Sequence, residues 1–267
     1  MNLMKLMNSL WLWIILFHNF NSLYLYMDLT ILTVCTILSL MPAYAYILIL
    51  YTILPYGTIK FSKTIQYIFG GILSVLILSF IFLNLPGWVM LGNNHFYNDF
   101  LVTATKEELS KLIAFVILSY LISDKNHPLS TMIYFGMLGL GFSIFENIQY
   151  GLSYGPYIIP IRSVTSTIAH IISGFIFGYW IGLSKLKKPT PNGKSIFSIL
   201  VNKKKNFKVF IFSLIGFVTS VTYHGLWNFN LSTSGDTYKT IALILLFMGL
   251  LISILCFKDL NYKHKKK

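Results

Sequence analysis

Three of the eight acidic side chains in this 267-residue chain are glutamates, and all three fall in apolar surroundings. Glu107 and Glu108 are adjacent in T-K-E-E-L-S-K, directly before L-I-A-F-V-I-L-S-Y-L-I, and Glu146 lies in F-S-I-F-E-N-I-Q-Y. The five aspartates (Asp28, Asp99, Asp124, Asp236 and Asp259) fall in or beside polar connections. A charged group inside a membrane span costs about 2.5–3.5 kcal/mol on insertion scales, and such groups tend to mark functional cavities. With Lys111 one turn on, two adjacent carboxylates cannot share one charge state, because the cation holds the nearer one as an anion. The other is suited to take a proton from water and give it to a leaving amine.

The remaining polar groups gather at the same depth. Asn147 follows Glu146, and Arg162, the single arginine of the chain, opens the next apolar stretch with His170 two turns deeper. His224 and Asn228 stand four apart in Y-H-G-L-W-N, on one face of a helix, where both could present N–H donors to an oxyanion. These are the parts of a hydrolase acting on peptide bonds within the membrane. There is no G-x-S-x-G and no H-E-x-x-H, so the serine and zincin routes lack their signatures. Each group also has a plainer reading. Thr105 to Glu108 fits a capping box, Glu146 could reach the interface, Arg162 could snorkel, and the histidines could bond between helices. Convergence on one half of the bilayer is what favours a site.

The elements that must position these residues are membrane helices. A chain with 55% hydrophobic and 11% charged residues and a mean hydropathy of +0.69 cannot be a water-soluble globule. On the ruler of roughly 20 apolar residues per span, helices are predicted near 3–26, 29–53, 64–85, 106–123, 130–151, 158–184, 207–231 and 238–257. The fold class is therefore an all-α polytopic bundle of about eight spans, or seven if the first segment is interfacial. Residues 1–28 read as an N-terminal anchor or interfacial helix, 29–257 as the bundle and 258–267 as a basic cytoplasmic tail. Lys5 followed by W-L-W-I-I-L-F imitates a signal peptide, but no A-x-A site follows, which favours a retained helix.

Lysines in the 54–63, 124–129 and 185–206 loops and in the tail share one side by parity, and the positive-inside rule places that side in the cytoplasm. The expected location is the cell membrane, with both termini cytoplasmic if there are eight spans. The net charge of +13 is explained by anionic headgroups at these basic loops, with no need of nucleic acid. Cys35 and Cys256 lie in apolar runs without metal or disulfide spacing. No internal repeat and no discontinuous helix is evident, which weakens the reading as a small-solute transporter. Arg162, Ser166, His170, Gly174, Gly178 and Gly182 follow at intervals of four, a ridge along which another helix can approach.

E-E-L-S-K (107–111), G-L-G-F-S-I-F-E-N-I-Q-Y (139–150), R-S-V-T-S-T-I-A-H (162–170) and H-G-L-W-N (224–228) resemble, in order, the motifs of the PrsW family of intramembrane proteases, related to the CAAX prenyl endopeptidase (Abi) families. The resemblance spans roughly residues 40 to 257 and implies a multi-pass endopeptidase acting on a membrane-anchored protein, such as an anti-sigma factor. It implies Glu107, Glu108, His170 and His224 as catalytic, with Glu146, Arg162 and Asn228 as their site partners. Glu146 and Asn228 are counted with the catalytic set, and Arg162, Lys111 and Asn147 are the candidate substrate contacts. Because family members have been described as metalloproteases, His170, His224 and one glutamate could alternatively hold zinc. A metal-free glutamate mechanism is favoured, since the histidines lack the i,i+4 spacing of a zinc helix. The rivals from another class are a non-catalytic binding or scaffold protein and a transporter with buried Glu and His.

Overall fold

The computed structural model describes residues 22–54, 58–82, 94, 96–122, 127–186 and 206–265. The expected first helix at 3–26 lies outside them up to residue 21, as does 187–205 of the basic loop. No strand occurs among the described residues, and the architecture is an all-α bundle. Its elements are α1 (Ser22–Ile53), α2 (Phe61–Phe82), a π-helical segment (Phe96–Thr103), α3 (Ala104–Leu121), α4 (Pro128–Tyr154), α5 (Ile159–Val164), α6 (Ser166–Ser184), α7 (Asn206–Ser232) and α8 (Asp236–Lys265).

Six stretches of helix among these residues are long and apolar enough to cross a membrane. The predicted span at 106–123 is present as α3, yet it falls outside that group because Lys106, Glu107, Glu108 and Lys111 crowd its first two turns. The chain is a multi-pass membrane protein. The apolar window of α4 is 94% buried, whereas those of α1 and α8 are 17% buried. Side chains turned to solvent by α1 and α8 are large and apolar, among them Leu32, Ile37, Leu48, Leu243, Phe247 and Leu251. In a bilayer that surface needs no partner but lipid.

At the centre, α4 packs on α6 almost backbone to backbone. A Cβ on Gly174 would lie 2.6 Å from the carbonyl oxygen of Phe135, and one on Gly178 would lie 2.6 Å from Met132 Cα. On the facing side, a Cβ on Gly139 would overlap the carbonyl of His170. The glycine ridge expected from the sequence is thus the contact surface, as small-residue packing requires. Beneath it, Phe115, Phe135 and Phe177 stack in series with ring centroids 4.6 and 4.4 Å apart.

Two local features depart from expectation. Thr105 does not start a helix: the chain is already helical through 96–103, Thr103 has φ −66° and ψ −53°, and no side chain caps α3. The capping-box reading of Glu108 is therefore replaced by a buried one. The span at 158–184 is also discontinuous, against the expectation of unbroken helices. It breaks at Thr165 (φ −124°, ψ −82°), so Arg162 and Ser166 belong to different helices. Ser163, Thr165, Ser166 and Thr167 are residues whose hydroxyls compete with the helical ladder. Thr165 Oγ1 donates to the Ile161 carbonyl at 2.7 Å, and the Ser163 carbonyl accepts from Tyr46 Oη of α1 at 2.7 Å. Such a break is tolerated in a membrane where it lines a cavity.

Candidate active site

A cavity of about 270 Å³ opens at the end of the bundle where α3 and α6 begin and where α4 and α7 end. Glu107, Glu146, His170 and Asn228 face it, Trp227 and Tyr150 form apolar wall, and Asp99 and Ser232 lie at one edge. Four helices thus bring polar groups as far apart in sequence as Glu107 and Asn228 to one end, as the depth argument expected.

Glu107 and Glu108 have different surroundings, because successive helical residues point about 100° apart. Glu108 is fully buried and saturated. Its Oε1 accepts from Lys111 Nζ at 2.7 Å, from His224 Nδ1 at 2.8 Å and from Ser173 Oγ at 3.1 Å, and its Oε2 accepts from Ser220 Oγ at 2.7 Å. Glu107 faces the cavity, and its buried Oε2 has no hydrogen-bond partner. His224 Nε2 lies 3.5 Å from that oxygen, too far for a good hydrogen bond. One glutamate is spent on structure and the other is open to a ligand.

The histidines are held edge to face, with ring centroids 4.8 Å apart at 81°. His224 gives Nδ1–H to Glu108, which turns Nε2 toward Glu107. His170 has Lys111 Nζ 3.1 Å from Nδ1 and Glu146 Oε2 2.8 Å from Nε2. Arg162 Nη2 donates to that same Glu146 oxygen at 2.7 Å, its Nε donates to Asn147 Oδ1 at 2.9 Å, and the guanidinium lies 3.6 Å from the Tyr150 ring centroid. Asn147 in turn donates to Thr167 Oγ1 at 2.9 Å. Arg162 faces the cavity, while Asn147 is buried beside it and Lys111 is fully buried behind the histidines.

Ser173 and Ser220, which the sequence did not single out, also bond into the site through Glu108. Each stands one turn from a motif residue, Ser173 three after His170 and Ser220 four before His224, on the faces that carry the histidines. That spacing was the available signal.

The model of the PrsW family intramembrane metalloproteases matches residues 64–254. The chain belongs to the PrsW family. Among curated relatives, the Protease PrsW of Shouchella clausii (strain KSM-K16) is 28% identical over 136 residues, covering 51% of this chain and 55% of the relative. The Protease PrsW of Oceanobacillus iheyensis is 27% identical over 134 residues, covering 50% and 54%. The chain thus spans about half the length of the curated PrsW relatives it matches. No solved structure matches it.

The PrsW description as a metalloprotease raises the question of a metal. Glu107, His170 and His224 form a possible site, each offering one ligand atom within 4.8 Å of the others. Zinc bonds of about 2.0–2.2 Å would draw tetrahedral ligands to about 3.4 Å from one another. His224 suits this role, since a metal-binding imidazole gives its other N–H to a carboxylate, here that of Glu108. Glu107 suits it through its unpartnered oxygen. His170 does not fit as placed, because Lys111 occupies the side of the ring where a carboxylate or carbonyl acceptor belongs and Nε2 is bonded to Glu146. Two of the three side chains fit the ion and the third does not.

Proposed function

We propose that this chain is an intramembrane endopeptidase that hydrolyses peptide bonds of a membrane-anchored protein through water activated by Glu107. The observation that carries this reading is the contrast within the pair: Glu108 accepts four hydrogen bonds, whereas Glu107 lines a polar cavity and accepts none at its buried Oε2. Membership of the PrsW family supports peptide hydrolysis as the reaction.

In this proposal water enters from the cavity and gives a proton to Glu107 as it attacks the scissile carbonyl. Glu107 then passes that proton to the leaving amine, while His224, its ring fixed by Glu108, holds its Nε2 lone pair toward the carboxylate at 3.5 Å. The side-chain amide of Asn228 faces the oxyanion, in the manner of a donor fixed before the reaction. Arg162 spends Nε and Nη2 on Asn147 and Glu146 and keeps Nη1 for a substrate carbonyl. The misfit of His170 favours this route over one through zinc. The resemblance noted above points to an anti-sigma factor with a single span as the substrate class.

The test is cleavage of a single-span reporter in proteoliposomes by the purified protein and by its Glu107→Gln variant. Loss of the base should lower the rate by about 10²–10⁴-fold. Undiminished cleavage by the variant would remove Glu107 from the reaction.

A further inference from the structure

Lys111 is fully buried behind the histidines, and the peptidase reading leaves it without a task. An ammonium has three N–H donors and no acceptor. Three partners surround its nitrogen: Glu108 Oε1 at 2.7 Å, His170 Nδ1 at 3.1 Å, and the face of Phe142, whose ring centroid is 4.4 Å away. Lys111 therefore touches both halves of the polar network from behind, and it does not line the cavity.

Each contact constrains an imidazole. Beside an ammonium, Nδ1 of His170 can only accept, so the ring proton sits on Nε2, where Glu146 Oε2 receives it at 2.8 Å. On the other side, Lys111 keeps Glu108 an anion, and that carboxylate takes Nδ1–H of His224 at 2.8 Å. The two rings are thereby set to opposite tautomers: Nε2 of His170 is a donor, and Nε2 of His224 carries a lone pair toward Glu107. In most histidine sites each ring is oriented by its own partner. Here one cation reaches both.

We infer that Lys111 is a positioning residue that fixes His170 and His224 in opposite tautomers, so that one imidazole donates to Glu146 and the other offers a lone pair to Glu107. This deepens the proposed peptidase reading and rests on it for its consequence in catalysis. The tautomers themselves can be measured without any cleavage assay.

The experiment is solid-state nitrogen NMR of the full chain, labelled with ¹⁵N histidine and reconstituted in lipid, with signals assigned through the His170→Gln and His224→Gln variants. The wild-type protein should show a pyridine-type Nδ1 and a pyrrole-type Nε2 for His170, and the reverse for His224. In Lys111→Met, His170 should lose its single tautomer, and reporter cleavage should fall by about 10- to 100-fold, the range for a lost orienting partner. Folded Lys111→Met protein with both wild-type patterns intact would overturn the inference, whatever its activity. If that variant does not fold, the wild-type spectrum still decides, since a pyrrole-type Nδ1 on His170 overturns it alone. A wild-type protein that cleaves no reporter but shows the opposite tautomers would count against the peptidase reading and leave the placement of Lys111 standing.

Discussion

Ser220 Oγ donates to Glu108 Oε2 at 2.7 Å across 112 residues of sequence. With that bond every side of the Glu108 carboxylate is occupied, and the pair Glu108–Lys111 becomes an ion pair sealed from solvent. Breaking a buried pair by neutralising one partner costs about 3–5 kcal/mol, because the other charge is left uncompensated. Glu108→Gln should therefore unfold at distinctly lower temperature in detergent, while Glu107→Gln unfolds like the wild type and fails only in cleavage. Equal thermal stability of the two variants would show that the glutamates are not divided in this way.

Ser220→Ala tests the same cage more gently. Removing one hydrogen bond to a charged group costs about 1.5–3 kcal/mol, so the variant should fold with a lowered midpoint. Its cleavage rate should fall too, since Glu108 would hold the ring of His224 less firmly. A stability loss with full cleavage would confine Ser220 to folding.

The helical bundle, the end at which polar groups meet and the glycine ridge were legible because they follow from hydropathy, span length and four-residue spacing. Glu107, Glu146, His170, Arg162 and Asn228 could be assigned to one cavity from depth alone. What depth could not give was rotation about each helix axis. Glu107 and Glu108 lie at nearly one depth, and only packing decides which of them meets Ser173 and Ser220. For the same reason Lys111 read as a substrate contact, although it stands behind the histidines. The break at Thr165 was hidden because no glycine or proline marks it; its cause lies in hydroxyls and in Tyr46, 117 residues from Ser163 in sequence.

Metal dependence separates the two hydrolytic routes. Protein stripped with a strong chelator should retain its cleavage rate and contain no stoichiometric metal by mass spectrometry, given the surroundings of His170. Stoichiometric zinc, with activity restored only on its return, would instead mean that His170 leaves Lys111 when the ion binds.

Orientation can be read by labelling. In a background lacking Cys35 and Cys256, the two cysteines of the chain, Ser234→Cys should react with an impermeant thiol reagent in intact cells and Lys194→Cys should not. Reversed labelling would place the cavity at the cytoplasmic face.

Gly174→Ala should damage site and fold together. The added carbon would meet the Phe135 carbonyl oxygen and Gly136 Cα, both backbone atoms that no rotamer change can move away. Overpacking of this kind costs about 1–3 kcal/mol, and by parting α4 from α6 it should lengthen the His170–Glu146 contact. Lowered thermal stability with a reduced cleavage rate is the expected result; a variant as active and stable as wild type would mean that the two helices are less closely seated.

The backbone contact of α4 with α6 also has a mechanical consequence. Glu146 and His170 sit on two rods pressed together with no side chain between them at the glycines, so they travel as a single stiff body. Glu108 and His224 form a second body, tied to each other across α3 and α7 by their own hydrogen bond. Two contacts join these bodies: Lys111 of α3 meets His170 of α6, and Ser173 of α6 donates to Glu108 of α3. Ser220 Oγ also lies 3.0 Å from the Ser173 carbonyl oxygen, so the two bodies are pinned to each other by polar bonds at the buried end of the site, and any widening of the cavity has to come from its open end.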